Sequence, residues 1–580
     1  MRYQLLACDY DGTLAHDGRV DASTFDALAR LRTSGRRIVL VTGRRLDDLR
    51  SVCPDFGAFD MIVAENGGLL HVPRSRESVA LAEAPPASFI EELRRRGVTD
   101  VAVGAVIVAT WQPHAETVLE TIRDAGLELQ VIFNKGAVMV LPSGANKATG
   151  LRAALERLGL SAHNAVSVGD AENDHALLAA CECGVAVANA LPSLRERADL
   201  VTAASHGAGV AELAERLIAT DLEELGPRLA RHDLPLGRAL ETGAEISLPA
   251  YGVSLLVAGT SGAGKSTAIA GIGERLSNRG YQHVIIDPEG DYGSYERAIV
   301  LGDAHSVPTV EEVREVLAKP AENVVVNLVG LALALRPAFF GALLPALREL
   351  RARFGRPHWI VVEEAHHLVP ASGGDGRSLL TNLPGSILVT VHPEHVAQAA
   401  VAAAEWVMAI GKTPAETIAA FSAARGTPAP ITDARPLAPG EALVWRRGDP
   451  RGPIRIRPAP SRLEHRRHVR KYAEGDLGPE SSFYFRGADG RLNLRAQNLQ
   501  LFLQLGDGVD AATWLHHLRA RDYSRWARDA IKDEGLAQEI AEIERAEIER
   551  QAAAAEGEAD PAPSRAAVRR AIEERYTAPP

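Results

Sequence analysis

Near the middle of the chain an apolar run, Ser254-Leu255-Leu256-Val257-Ala258, leads into Gly259-Thr260-Ser261-Gly262-Ala263-Gly264-Lys265-Ser266-Thr267 and then into an Ala/Ile-rich stretch. Strand, glycine-rich turn and helix in that order confine this segment to a phosphate-binding P-loop inside an α/β domain. Backbone N–H groups and the helix N-terminus would cradle phosphates, Lys265 would reach the outer ones, and Ser266 would hold Mg²⁺. ATP is the expected ligand.

At 580 residues the chain exceeds what one core supports, so three or more folding units are expected. Its 46% hydrophobic and 24% charged residues are those of soluble globular domains. No apolar segment of membrane-spanning length occurs, and Met1-Arg2-Tyr3 runs straight into a strand rather than a signal peptide. Cys8, Cys53, Cys181 and Cys183 form neither a disulfide framework nor a zinc pattern, so the cytoplasm is the expected location. A net charge of −11 gives no support to a nucleic-acid partner, although a local basic pore remains open. Only seven residues are lysine, and two of them, Lys147 and Lys265, fall in phosphate-handling motifs.

The opening strand, Tyr3 to Cys8, ends in Asp9-Tyr10-Asp11-Gly12-Thr13. Asp9 is placed to attack phosphorus, and Asp11 to protonate the leaving oxygen and then activate water. A bare Asp-x-Asp is usually a polar strand exit, but three further segments change that. Ile38-Val39-Leu40-Val41 ends in Thr42-Gly43-Arg44, offering a hydroxyl and an N–H to phosphate. Lys147 begins a helical stretch, and Ala165-Val166-Ser167-Val168 ends in Gly169-Asp170-Ala171-Glu172-Asn173-Asp174. Asp170 and Asp174 would complete an oxygen-ligand Mg²⁺ site with Asp9 and Asp11.

These segments resemble the haloacid dehalogenase (HAD) superfamily of phosphatases. Glu65-Asn66-Gly67-Gly68 and Gly184 to Ala190 narrow the resemblance to its Cof-like, sucrose-phosphatase-like branch (type IIB). It implies a Rossmann-like core over residues 1–222 with an α/β cap at about residues 80–143 that selects a phosphorylated small molecule. Asn173 and Gly43 would then bind phosphate, with Asp9, Asp11, Thr42 and Lys147 catalytic. His16, His71, His114, His163 and His175 lack partners at ligand spacing and are expected at the surface or in loops.

Residues 223–460 are expected to form an α/β ATPase domain, entered by a hairpin from Leu234 to Pro249. The strand His283 to Ile286 ends in Asp287-Pro288-Glu289-Gly290-Asp291-Tyr292, and Trp359-Ile360-Val361-Val362 ends in Glu363-Glu364. Glu363 would serve the metal and Glu364 the attacking water. Ser386 to Val389 ends in Thr390-Val391-His392, where Thr390 or His392 would sense the γ-phosphate. The set resembles the HerA/FtsK group of P-loop ATPases, with Glu363 where that group has Asp and no sensor Gln. The resemblance implies homo-oligomeric rings with an arginine finger, for which Arg336, Arg425 and Arg446 are alternatives. Residues 221–460 carry about −3 net charge and no basic stripe with aromatics, which speaks against a grip on DNA.

Residues 461–535 read as a helical appendage opening on a basic run from Arg462 to Lys471, with Trp514, Tyr523 and Trp526 as core; residues 536–580 read as a charged helical or disordered tail. The leading reading is a bifunctional cytoplasmic hydrolase, a Mg²⁺-dependent phosphomonoesterase coupled to an ATPase. A ring-forming nucleic-acid translocase with an accessory phosphatase, a small-molecule kinase and an ATP-sensing scaffold are the alternatives.

Overall fold

The N-terminal apolar runs become strands buried on both faces, the pattern that parallel pairing between helical layers requires. The computed structural model describes residues 1–53, 55–260, 263–371, 383–424, 426–432, 435–461, 472, 477–487, 492–531, 533–553 and 560–576. An eight-stranded sheet runs, in spatial order, Leu200–Val201, Cys183–Ala186, Ala165–Gly169, Leu5–Asp9, Arg37–Val41, Met61–Ala64, Leu69–Val72 and Glu77–Ala80. The first six are parallel and the last two antiparallel. The central strands, Leu5–Asp9 and its neighbours Ala165–Gly169 and Arg37–Val41, therefore deliver Asp9, Asp170 and Thr42 to one edge.

Between Glu77–Ala80 and the helix Lys147–Leu158 the chain builds a separate antiparallel sheet, Ala102–Val103, Val108–Trp111, Ala137–Pro142 and Leu129–Asn134 in order. Helices Ala87–Arg95 and Ala115–Asp124 bury Phe89, Leu93 and Val118 against Val108, Val138 and Val140 of that sheet. This cap has its own core, and the Glu65 carboxylate, from the turn after Met61–Ala64, holds it by accepting from the Ala105, Val106 and Ile107 N–H groups.

The second large sheet has eleven strands. Its parallel part runs Trp406–Ile410, Ser254–Gly259, Ser386–Thr390, Trp359–Val362, His283–Asp287, Val324–Asn327 and Ile299–Leu301. Antiparallel strands extend one side, ending in the hairpin of Leu234–Ala239 with Glu245–Leu248. Ser254–Gly259 leads through the glycine-rich turn into the helix Lys265–Asn278, as its sequence dictates.

By compactness the chain divides into Met1–Ala459, which contains both large sheets, and Pro460–Pro580. Inside the first unit the sheets meet along a polar seam. The buried Glu182 carboxylate receives the Arg2 guanidinium, His163 Nδ1 at 2.7 Å and the Tyr281 hydroxyl at 2.9 Å. His163 Nε2 lies 2.6 Å from the Arg279 carbonyl, and its ring stacks on Tyr281 at 3.7 Å. Asn164 donates to the Gly355 carbonyl at 3.2 Å and faces His358 Nε2 at 3.1 Å. Arg2 and His163 hold Glu182 down at about 2 although burial alone would raise it. The expectation of surface or loop positions is corrected for His71, while His163 does lie in a connecting turn but has close partners there. His163 is packed into the seam, and His71 is buried on an inner strand with its Nδ1 2.8 Å from the Ser78 hydroxyl.

In the second unit Trp514, Tyr523 and Trp526 are buried around Phe483, Phe485 and Phe502, which agrees with their reading as core. Beyond residue 535 the described residues are helical, as one of the two expected alternatives had it, but the helices are packed rather than solvated: Glu534–Ala553 and Ala562–Tyr576 bury Leu536, Ala537, Ile540, Val568, Ala571 and Ile572 in the same core. Leu536, Ile540, Val568 and Ile572 supply most of that contact, with Ala537 and Ala571 packed between them. The basic run 462–471 lies outside the described residues. No helix among the described residues is long and apolar enough to cross a membrane.

Candidate functional site

Two sites form at the C-terminal edges of the two sheets. In the first, the helix Lys147–Leu158 begins with a capping box in which the Asn146 side chain accepts from the N–H groups of Ala148 and Thr149. That start fixes Lys147 at the first helical position, buried, with Nζ 2.6 Å from both Asp9 Oδ1 and Asp174 Oδ1. Asp174 Oδ2 in turn accepts from the Asp170 and Ala171 N–H groups, each at 3.0 Å. Thr13 Oγ1 donates to Asp170 Oδ1 at 3.0 Å. Gly12, at φ +87, lets the chain pass over this point, since a Cβ there would stand 2.3 Å from Asp170 Oδ2.

Burial pushes Asp9 upward and Asp174 adds to the rise, while Lys147 opposes it. Lys147 is held above its ordinary value: burial would lower it, but Asp174 and Asp9 outweigh that. Oxygens of Asp9, Asp170 and Asp174 lie within 4.8 Å of one another. Three converging carboxylates held apart by ammonium groups are a donor set that fits a hard divalent cation such as Mg²⁺.

Thr42 is buried beside this cluster, its Oγ1 accepting from the Arg44 N–H at 3.1 Å. Asn173 donates to Asn66 at 3.0 Å, with its Nδ2 3.7 Å from where a Cβ on Gly43 would be. The Asp11 carboxylate stands apart from the other three, paired at both oxygens with Arg44 at 2.7 Å. Over these groups lies a cavity of about 390 Å³ whose walls include Ile107, Trp111, Lys135 and Met139 from the cap.

In the second site Lys265 Nζ donates to the Gly259 and Thr260 carbonyls at 3.1 and 3.2 Å, so the ammonium is held inside the loop. Gly259 is forced to be glycine, because a Cβ would stand 1.9 Å from the Ile410 carbonyl oxygen. Ala263 and Gly264 close the turn, Thr267 is exposed, and Ser261 and Gly262 lie outside the described residues. Ser266 Oγ is 3.4 Å from Asp291 Oδ2. Burial lowers Lys265, while Glu364, Glu363, Glu289 and Asp291 act to raise it. Four carboxylates around one lysine leave a deficit of positive charge that a nucleotide-bound divalent ion would fill.

Glu363 is buried, accepts from the Tyr292 hydroxyl and is pushed up to about 8 by burial. Glu364, in the left-handed region at φ 41, keeps Oε2 without a hydrogen bond, 3.4 Å from His366 Nδ1. Thr390 Oγ1 accepts from the His392 N–H and lies 3.0 Å from His366 Nδ1, whereas the His392 ring turns outward to Glu394. Of the arginine alternatives, Arg336 donates to the Leu331 carbonyl, Arg446 lies over Trp406, and Arg425 is outside the described residues.

Sequence reasoning left Lys135, Arg44, Asp291, Tyr292 and His366 without roles. Lysine scarcity was a usable signal for Lys135, and the quoted Asp-Pro-Glu-Gly-Asp-Tyr loop already contained Asp291 and Tyr292.

Residues 6–95 and 97–213 match the family of haloacid dehalogenase-like hydrolases, and residues 235–334 match the central domain of the helicase HerA. A phosphoglycolate phosphatase of Methanothermobacter thermautotrophicus is 34% identical over 220 residues, which are 37% of this chain and 98% of that protein. One from Natronomonas pharaonis is 34% identical over 223 residues, 36% of this chain and 96% of its own. The crystal structure of a haloacid dehalogenase-like hydrolase from Bacteroides thetaiotaomicron is 22% identical, covers 37% of this chain and 99% of its own, and has a TM-score of 0.33.

Proposed function

This chain belongs to the haloacid dehalogenase-like hydrolases and carries a HerA-type ATPase domain behind that module, and on that basis we propose a Mg²⁺-dependent phosphomonoesterase whose turnover is tied to ATP bound at the P-loop. The observation that carries the phosphatase half is the buried Asp9–Lys147–Asp174 bridge with Asp170 beside it. Asp9 Oδ attacks the phosphorus of a monoester as the P–O bond to the leaving alcohol breaks, giving an aspartyl phosphate. Asp11, once it has left Arg44 and taken a proton from solvent, gives that proton to the departing oxygen and then takes one from the water that hydrolyses the acyl phosphate. Thr42 Oγ1, the Gly43 N–H and Asn173 hold the phosphoryl oxygens, and Lys147 offsets the charge of nucleophile and phosphate. Asp9, Asp170 and Asp174 would hold Mg²⁺, which would supply positive charge to the phosphoryl oxygens.

In the ATPase half, Lys265 and the loop N–H groups from Gly259 to Thr267 bind the phosphates. Ser266 and Glu363 would hold the metal, Glu364 would orient water, and Thr390 with His366 beside it would report the γ-phosphate, His392 being turned away to Glu394. The seam supports coupling. The P-loop helix ends beside Arg279, whose carbonyl meets His163; the strand ending at Glu363 begins beside His358, which meets Asn164. Both residues stand immediately before the strand that ends at Asp170.

The test follows the organic product from a panel of phosphomonoesters, phosphoglycolate first, with and without ATP. Asp9→Asn is expected to abolish turnover and Lys265→Ala to remove the ATP effect. Turnover that persists in Asp9→Asn refutes the phosphatase assignment; an ATP effect that persists in Lys265→Ala refutes the coupling.

A further inference from the structure

The sensor strand Ser386–Thr390 runs into Val391-His392-Pro393-Glu394-His395. Pro393–His395 form a single 3-10 turn with His392 at its N-cap. Such a turn repeats every three residues, which brings His392 and His395 to the same side, their ring centroids 4.8 Å apart. Donor atoms of His392, Glu394 and His395 lie within 4.8 Å of one another, with His392 Nδ1 3.0 Å from Glu394 Oε1. The backbone beneath them is fixed. The His395 N–H donates to the His392 carbonyl at 3.0 Å, the Ala371 N–H to the His395 carbonyl at 2.8 Å and the Ala397 N–H to the Val369 carbonyl at 2.9 Å.

Two other places bring three such donors together, and neither is comparable. Asp9, Asp170 and Asp174 belong to the first site and offer oxygen alone. His163, Glu182 and His232 lie in the seam, where Glu182 already receives Arg2 and Tyr281, so an ion would have to displace a guanidinium from a buried carboxylate. Glu394 pairs with no lysine or arginine among the described residues; it meets His392, and both side chains are more than half exposed. The His366 ring lies 5.9 Å from His392, and His367 lies 4.0 Å from His366, so four of the chain's eighteen histidines gather at one edge of the nucleotide site. Imidazoles this close repel one another once protonated, whereas a shared ion of borderline softness draws them together.

We infer that His392, Glu394 and His395 bind a divalent transition ion of the Zn²⁺ class, separate from the Mg²⁺ of the nucleotide. Two imidazoles and a carboxylate, with a fourth position open to water, are a donor set that zinc accepts and Mg²⁺ disfavours. Bonds of about 2.0–2.2 Å need the donors drawn closer than they stand, and exposed side chains on a fixed turn reach that by rotation about their χ angles. The consequence rests on the ATPase reading above. The His392 N–H donates to Thr390 Oγ1 at 3.0 Å, and that oxygen lies 3.0 Å from His366 Nδ1. An ion that pins His392 therefore also fixes the hydroxyl assigned to the γ-phosphate, which links occupancy of the turn to the third phosphate of the nucleotide.

The experiment uses the full chain without an affinity tag, in excess Mg²⁺ so that the oxygen-only sites stay filled. Co²⁺ is expected to give the wild type the intense visible absorption of a four-coordinate site, and one equivalent of Zn²⁺ to bleach it. His395→Gln and, separately, Glu394→Gln are expected to lose that absorption. Both residues are exposed and neither belongs to the P-loop, so binding of a fluorescent ATP analogue, expected to be unchanged in both, reports that the domain is folded. No four-coordinate absorption in the wild type overturns the site. Absorption that survives in either folded variant does so too, and moves the ion to the seam cluster. In a second arm Zn²⁺ affinity is measured with ADP and with a non-hydrolysable ATP analogue, and the two values are expected to differ about 5-fold or more. Equal affinities overturn the link to the γ-phosphate. If neither nucleotide binds the wild type, the ATPase reading is what fails, and the Co²⁺ arm alone decides the metal site.

Discussion

A lysine buried between two carboxylates is the residue on which the first site turns. Lys147 has its ammonium 2.6 Å from Asp9 and from Asp174, and all three side chains are almost fully withdrawn from water. Removing one partner of such a group leaves the remaining charge buried without compensation, which costs about 3–5 kcal/mol. Lys147→Met keeps the volume of the stem and deletes only the charge. Without divalent ions it is expected to lower the first thermal transition, read by calorimetry, and to take up a proton at Asp9 that the wild type carries less often. With Mg²⁺ present, monoester turnover is expected to fall about 10²- to 10³-fold in kcat, the scale of losing one preorganised charge contact to a transition state. Wild-type kcat in Lys147→Met would remove the residue from the catalytic set.

Strands and their ends explain both what the sequence reveals and what it hides. Asp9, Thr42 and Asp170 were readable because a buried strand must stop at a polar residue, and parallel pairing sends every such stop to one edge. The P-loop and Glu363-Glu364 were readable for the same reason on the second sheet. Lys135 and Arg44 escaped because their partners are 124 and 33 residues away and no local pattern marks a cap lysine that reaches the core. Glu182 escaped for a stronger reason: nothing in Cys181-Glu182-Cys183 says that a second domain will seal it from water. Once sealed it becomes a pH-sensitive element, facing Arg2, His163, His232 and Tyr281. Its folded value of about 2 lies below the ordinary 4.5, so its stabilisation is complete above about pH 4.5 and is lost as pH falls toward 2. The shift corresponds to about 3 kcal/mol. Urea unfolding of the first unit is expected to weaken by that order between pH 5 and pH 2. Glu182→Gln is expected to be less stable by a similar amount at neutral pH and to lack that part of the acid slope; parallel slopes in the two proteins would refute the assignment.

For the whole molecule the question is whether the two candidate phosphate sites in one compact unit act together. The seam joins them at points where movement would be felt, since His163 and Asn164 precede the strand that carries Asp170 and touch the ends of the two elements that carry Lys265 and Glu363. Nucleotide binding that shifts the P-loop helix along its axis would press on His163, in the turn that leads into that buried strand. His163→Phe preserves the stacking on Tyr281 while deleting the hydrogen bonds to Glu182 and the Arg279 carbonyl. A non-hydrolysable ATP analogue is expected to change KM or kcat for the monoester in the wild type by about 3- to 30-fold, the range of 1–2 kcal/mol of coupling between sites. In His163→Phe the same analogue is expected to bind and yet leave monoester kinetics where they were without it. Linkage requires the reverse as well: a monoester product analogue must shift nucleotide affinity by the same factor in the wild type and by none in the variant. Reciprocal shifts that survive in His163→Phe would mean that coupling runs elsewhere along the seam, through Asn164 and His358. An absence of shifts in the wild type would mean that the domains share an interface without sharing their ligands' free energy.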